Sequence, residues 1–448
     1  MEAVREITAS KLTNEHKERF LSGLDNVSAN GYPEWAHALR LDERQRFVET
    51  AFPHHKQEAW RFTNIAPIIE TPFRFFQNTT GSTILFEEFE SLSFRNDGLN
   101  ELVFVDGFLV SNLSDLSDAS DGVILASLRD ALMTCPELLR PHLDRHLMER
   151  DAFTALNGAF LQDGAFLYVP PNTTLEKPLH ILFLTTGREE NTVQYPRNLF
   201  VLGAGAEGTV IETYAGLNGR RAYFNDVVGE AILEEGSRLR WHKVVQEGPR
   251  AHQLGVHQFV VGRAASLETC VITLGGKISR SSQTVTFQDV DASCSLNGLY
   301  LNDGDRLVDN AIFIDHAQPR CTSRIAFRGV LDGTSNTAFT GRVLVRKGAQ
   351  KTDSNQLSSN LLISDQATVD AKPQLQIYAD DVKCTHGATV GQPPDELVFY
   401  FRTRGIDPVT ARRILTLGFV REIVTRISVP ALRDRLDTVL SAHYSPFR

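Results

Sequence analysis

In the segment YADDVKCTHGATVG, residues 378–391, Cys384 and His386 stand two residues apart in a chain that uses cysteine only five times. Thiolate and imidazole both ligate zinc, iron and iron–sulfur clusters. On a β-strand, residues i and i+2 project from one face with alpha carbons about 6.5–7 Å apart. Both side chains then reach a single metal ion or one small cluster. Two ligands leave such a site half built, so the remainder would come from elsewhere in the chain or from a partner. The plain alternative is a cysteine and a histidine that are packed or hydrogen-bonded on a strand.

Other groupings carry less chemistry. FVLGAGAEG holds Gly203, Gly205 and Gly208 in the G-x-G-x-x-G spacing of a dinucleotide fold. That motif needs a helix next, whose N-terminus holds the pyrophosphate. Here the chain continues TVIETYAG, which is β-branched, so the glycines read as turns and a nucleotide-binding oxidoreductase ranks third among the readings. GGKIS, residues 275–279, lacks the first glycine and the hydroxyl of a phosphate-binding loop, so no nucleotide is expected on this chain. Trp241-His242, His252 and His257 match no zinc-hydrolase spacing, and His54, His55 and Glu58 beside WRFTN fit a surface helix end. Asp380 and Asp381 are adjacent and on a strand would face opposite ways, which removes them as a paired acid and base.

The elements that must carry Cys384 and His386 follow from the pattern of apolar residues. Residues 1–160 read as a mostly helical N-terminal region with short strands. Phe20, Leu21 and Leu24, then Trp35, Leu39, Phe47, Val48 and Phe52, recur at helical spacing. STILFEEFESLSF and ELVFVDGFLV read as strands, and a further helical stretch begins at residue 128. Residues 161–392 are short β-branched runs broken by Gly, Asp, Asn and Ser. Small or polar clusters there lead into Val210, Leu239, Leu267, Leu296, Ile325, Phe339 and Val369, at steps of 29, 28, 29, 29, 14 and 30 residues. A period near 29 with a half-step predicts a β-solenoid, in which stacked coils bury an inner row that no single coil can bury. A long β-sandwich is the alternative. Residues 393–448 return to helix, with Asp407 as N-cap and Pro408 at the first helical position, then Ile414, Leu417 and Val420 at helical spacing.

The formal charge of −9 argues against a surface for nucleic acid or anionic membrane. No apolar run approaches the roughly 20 residues of a membrane span. MEAVREITASKLTNEHKERF reads neither as a secretory signal nor as a transit peptide. Cys135, Cys270, Cys294, Cys321 and Cys384 form no C-x-x-C pair, which fits reduced thiols in a cytoplasmic protein.

GLYLNDGDRLVDNAIFIDHAQPRCTSR, FTGRVLVRKGAQKTDSNQLSSNLLISD, KPQLQIYADDVKCTHGATVGQ and LVFYFRTRGI together resemble the SufB/SufD family of iron–sulfur cluster assembly proteins. The likeness runs from about Leu296 to Gly418, and more loosely back through DGAFLYVPPNTTLEKPLHILF. It implies a mainly β fold: a right-handed parallel β-helix flanked by α-helical N- and C-terminal regions. B-type members carry a functional cysteine before the LLI stretch and a glutamate after the motif histidine. Ser358 and Gly387 stand there in this chain, so the segment resembles the D type. The resemblance implies a non-catalytic scaffold that forms a heterodimer with SufB through the end of the β-helix and docks the SufC ATPase on its C-terminal helices. A homodimer is a further possibility. A transient cluster would form at the SufB interface, where His386 would be the ligand contributed by this chain and Cys384 the residue beside it. Asp407, Pro408, Ile414, Leu417 and Val420 would line the SufC contact. His316 and Cys321 also match family positions, without a ligand role. The rival reading of another class is a β-helix hydrolase or lyase acting on a polymer.

Overall fold

The computed structural model describes residues 14–27, 30–75, 89–116, 122–217, 219 and 221–444. Most of STILFEEFESLSF lies outside them. Two β-sheets face each other along residues 165–391. The first holds Arg197–Leu202, Tyr223–Leu233, His252–Val261, Ile278–Phe287, Leu307–His316, Asn336–Val345 and Thr368–Ile377 side by side. The second holds Leu179–Thr185, Glu207–Gly216, Arg238–Gln246, Ser266–Thr273, Ser293–Asn302, Thr322–Leu331, Asp353–Leu362 and Lys383–Gly391. The chain alternates between the sheets from Glu207 onward and every pairing along this run is parallel, so each pair of strands is one coil of a β-solenoid.

Between the sheets lie parallel rows of buried side chains, among them Val227, Leu239, Phe259, Leu267, Val285, Leu296, Ile325 and Phe339. Full burial of each contributes about 1.5–3 kcal/mol, and only the stacking of coils makes it available. The register agrees with the sequence period. Leu239 pairs with Leu267, and Leu296 with Ile325. Val210 and Leu296 sit two residues beyond Gly208 and Cys294, the true partners of Leu239 and Leu267. An error of two keeps a side chain on the same face of a strand. The half-step from Ile325 to Phe339 is a change of sheet, since the two lie on Thr322–Leu331 and Asn336–Val345.

Both outer flanks are covered. On the first sheet lie residues 14–21, helix α1 (Glu34–Glu49) and helix α2 (Ala152–Phe160), with Phe47, Phe153 and Phe160 packed towards Phe224, Leu254 and Ile278. Asp151 starts α2 by accepting from the Phe153 and Thr154 amides at 2.9 Å, and Thr154 Oγ1 accepts from the Asp151 amide. Strands covered on both sides, such as Tyr223–Leu233, are buried at every position and show no polar alternation. The helical stretch from residue 128 is broken into Leu128–Thr134, Pro136–Leu139 and α2. Strand pairing also crosses residue 160, with Asn100–Val105 on Leu179–Thr185 and Ile124–Ser127 on Ala165–Val169, so the N-terminal region closes the first edge of the solenoid.

Asp163, at the entry to the solenoid, is 4% exposed. Burial pushes its carboxyl up to about 7, against the Gly164 and Arg129 amides that donate to Oδ1 at 2.8 and 3.2 Å. A carboxyl raised above its unfolded value of about 3.9 contributes stability that is complete below that value and is lost as pH rises through the folded one. Asp163→Asn keeps the acceptor and removes the ionisation. It is expected to raise stability at pH 8 by on the order of 2 kcal/mol and to change nothing at pH 4. Urea midpoints at the two pH values check this; an equal effect at both would assign it to packing.

Candidate functional site

Lys383–Gly391 is the outermost strand of the second sheet, as Thr368–Ile377 is of the first. Its register sets Cys384 beside Ser354, His386 beside Gln356 and Ala388 beside Ser358. Ser354, Gln356 and Ser358 are buried towards the interior, whereas Asn355 and Leu357 between them are exposed. Cys384 and His386 therefore continue two neighbouring inner rows by one coil, at the point where stacking stops. Thr385 lies on the opposite face, its hydroxyl accepting from Asn355 Nδ2 at 2.6 Å.

The end of the stack gives the two residues different surroundings. His386 is exposed, and among the described residues its ring has no hydrogen-bond partner. Cys384 is half-buried against the last of the core. Burial lifts its thiol above the usual range and Asp353 adds to this, while the Ser354 amide at the sulfur pulls the other way. A metal ion must displace the thiol proton to bind there. Among the described residues no three His, Cys, Asp or Glu side chains form a group that could hold a metal ion. The pair can supply at most two ligands.

Of the other cysteines, Cys270, Cys294 and Cys321 are enclosed and Cys135 is half-buried. Burial pushes Cys270 up to about 12, and Cys294 and Cys321 also lie above the usual range for the same reason. The three central histidines do not converge: His257 faces the interior, His242 points outward to Ser428 Oγ at 3.4 Å, and His252 lies edge-on to Phe73. His316 is buried and meets Ser323 Oγ at 2.9 Å. Asp380 and Asp381 occupy the turn before the last strand, not the strand itself, and Asp381 pairs with Lys351. Gly205 sits in a solenoid corner at φ +68° and the strand Glu207–Gly216 follows it. The helix that a dinucleotide site requires is replaced by that strand.

Three helices follow the last coil: α3 (Asp395–Thr403), α4 (Pro408–Val424) and α5 (Pro430–Tyr444). Asp407 Oδ1 caps α4, accepting from the Val409 and Thr410 amides at 3.0 Å, and Pro408 is its first residue. Helices α4 and α5 lie back along the second sheet, where Val420, Ile423, Val424 and Leu436 pack on Ile211, Ile272, Leu299 and Val330. Arg328 fastens α4 by donating to Phe419 O at 3.1 Å. Val420, expected at a partner surface, is 0% exposed. Its side chain holds α4 to the solenoid, because the apolar stripe of an amphipathic helix covers the sheet's own apolar outer face. Leu417 and Ile414 are half-buried. Open apolar surface lies instead on α3 and the start of α4, at Leu397, Phe399, Tyr400 and Val409. The run LVFYF already signals this, since five consecutive residues at about 100° each wrap the whole helix and cannot share one buried face.

Residues 183–419 match the family described as SUF system FeS cluster assembly, SufBD core domain, and residues 18–181 match the SufBD protein N-terminal region. The chain belongs to the SufBD family of iron–sulfur cluster assembly proteins. Among SufBD relatives, the iron–sulfur cluster assembly protein SufD of Escherichia coli is 28% identical over 429 residues, covering 93% of this chain and 97% of the relative. A SufBD family protein of Synechocystis is 28% identical over 396 residues, 87% of each chain. One from Mycobacterium tuberculosis is 30% identical over 297 residues, 64% of this chain and 72% of the relative. The SufBD core match takes in the whole terminal coil with Cys384 and His386. Beside the pair, Ser358 is buried towards the interior, and Gly387 faces outward next to Leu357.

Proposed function

We propose that this chain is a D-type scaffold subunit, itself without catalytic activity, on which a nascent iron–sulfur cluster is built in company with SufB and SufC. The observation that carries the reading is the open end of the solenoid. Two edge strands whose outer sides meet no further strand among the described residues flank the inner rows that end in Cys384 and His386. Such an edge is a template for another chain's strands. A SufB solenoid pairing there would close the end and supply the remaining ligands, and the cluster would be cargo held between the subunits. The exposed Leu397, Phe399, Tyr400 and Val409 suit an apolar partner surface, here assigned to the SufC ATPase, with Asp407 and Pro408 setting the start of α4 beside them.

Co-purification of the three subunits tests both contacts at once. Val390→Lys puts a charge on the edge strand and is expected to lose SufB while keeping SufC. Phe399→Asp is expected to lose SufC while keeping SufB. If Val390→Lys still binds SufB as the parent does, the open end is not the pairing surface.

A further inference from the structure

A cleft of about 380 Å³ lies on the outer flank of the first sheet, walled by Glu58–Trp60 and Met148–Asp151. Its floor is two rows of outward side chains on four adjacent strands. One row runs Thr284, Phe313, Arg342, Gln374 and the other Ser282, Ala311, Thr340, Lys372. Nearly all the charge around it is already committed. Arg280 pairs with Asp309 and lies 3.8 Å from Glu149, Arg150 pairs with Asp144 at 2.9 Å, and Lys372 pairs with Glu58.

Arg342 differs. Its guanidinium stacks on the Phe313 ring, 4.1 Å from the centroid. Among the described residues, the side chains of Arg342, Thr340 and Gln374 have no hydrogen-bond or ion-pair partner within the chain. Stacking fixes the plane of the fork and leaves its edge free, the arrangement that takes a carboxylate or phosphate in bidentate fashion. Thr340, two residues earlier on the same strand, and Gln374, beside Arg342 on the next strand, are neutral donors, and Phe313 and Ala311 of the floor with Met148 of the wall offer apolar surface. The volume is at the small end of ligand pockets, enough for a single-ring molecule.

We propose that this cleft binds a small molecule with one oxyanion head, carboxylate or phosphate, held by Arg342 with Thr340 and Gln374, and an apolar body lying along Phe313 and Met148. The proposal is independent of the cluster-assembly reading, because the cleft lies on the flank and uses neither Cys384 nor His386.

The test is isothermal titration of the full chain with phenylacetate, with phenyl phosphate, and with benzyl alcohol as the neutral analogue. At least one oxyanion is expected to saturate the protein in the millimolar range or below, and which one does so identifies the head group. Benzyl alcohol is expected not to bind. Arg342→Gln is expected to weaken binding about tenfold or more, whereas Arg320→Gln, at an exposed guanidinium paired with Asp291 away from the cleft, leaves it unchanged. No saturation by either oxyanion, equal affinity in Arg342→Gln, or equal binding of benzyl alcohol would overturn the proposal.

Discussion

His386→Ala is expected to leave a complex with SufB and SufC intact and to lower its iron and acid-labile sulfide at least about tenfold, since loss even of a group that only orients a ligand costs 10–100-fold in metal affinity. The expectation rests on position. His386 is exposed and, among the described residues, free of hydrogen bonds on the terminal coil, so nothing in the described fold depends on its ring. Removing it opens no cavity and strands no buried partner, and the two costs that make most substitutions destabilising are absent. Cys384 is held to the core on one side, and its replacement combines lost packing with lost ligation. Cys384→Ser is therefore expected to lower cluster content less cleanly, with some loss of thermal stability. Lys383→Ala, on the opposite face of the strand, is the control and should change neither. The assay is iron and sulfide content of the complex purified without oxygen. Unchanged content in His386→Ala would make the histidine a surface residue and leave the chain a role in holding its partners alone.

Much of this was legible in the sequence because a solenoid writes its geometry as a period. Each coil repeats the same corner and the same inward apolar residue, so steps near 29 appear without any knowledge of pairing. The half-step at Phe339 even marks the change of sheet. The Cys384–His386 pair was legible for a similar reason, as i and i+2 on a strand share a face whatever the tertiary structure. The direction in which an apolar stripe points was not legible. Val420 lies on a periodic face, and periodicity alone does not say whether that face meets a partner or the chain's own sheet. Outward apolar residues such as Leu299 and Val330 were the missing half of that inference. Nor could spacing reveal contacts between charges far apart in the chain, of which the knot around Arg197 is the strongest case.

Arg197→Ala is expected to destabilise the protein by about 3–5 kcal/mol, the usual cost of leaving buried charges without their partner. Arg197 is fully buried, its Nη2 lying 2.6 Å from Glu230 Oε1 and 3.1 Å from Asp144 Oδ1. Asp144 also takes Arg150 Nη1 at 2.9 Å, and that same atom lies 3.6 Å from Glu43 on α1. One network thus ties α1, the segment before α2 and two strands of the first sheet. Burial alone would raise the Asp144 carboxyl, but Arg197 and Arg150 outweigh it and hold the group below its usual range. A depressed carboxyl contributes stability above its unfolded value of about 3.9 and loses it as pH falls through the folded one. The deficit of Arg197→Ala should accordingly be largest at neutral pH and above and shrink as pH falls, beginning above the usual carboxylate range, because burial raises a carboxyl that has lost its arginine. Adding Asp144→Asn and Glu230→Gln to Arg197→Ala removes the uncompensated charge and is expected to recover much of the loss at pH 7, because a neutral, packed substitute is often as stable as a buried ion pair. Urea unfolding of the parent, the single variant and the triple variant separates the causes. If the triple variant is no more stable than Arg197→Ala, the loss comes from the missing volume of the arginine, and the N-terminal region is held to the solenoid by its aromatic packing on Phe224 and Ile278 instead of by charge.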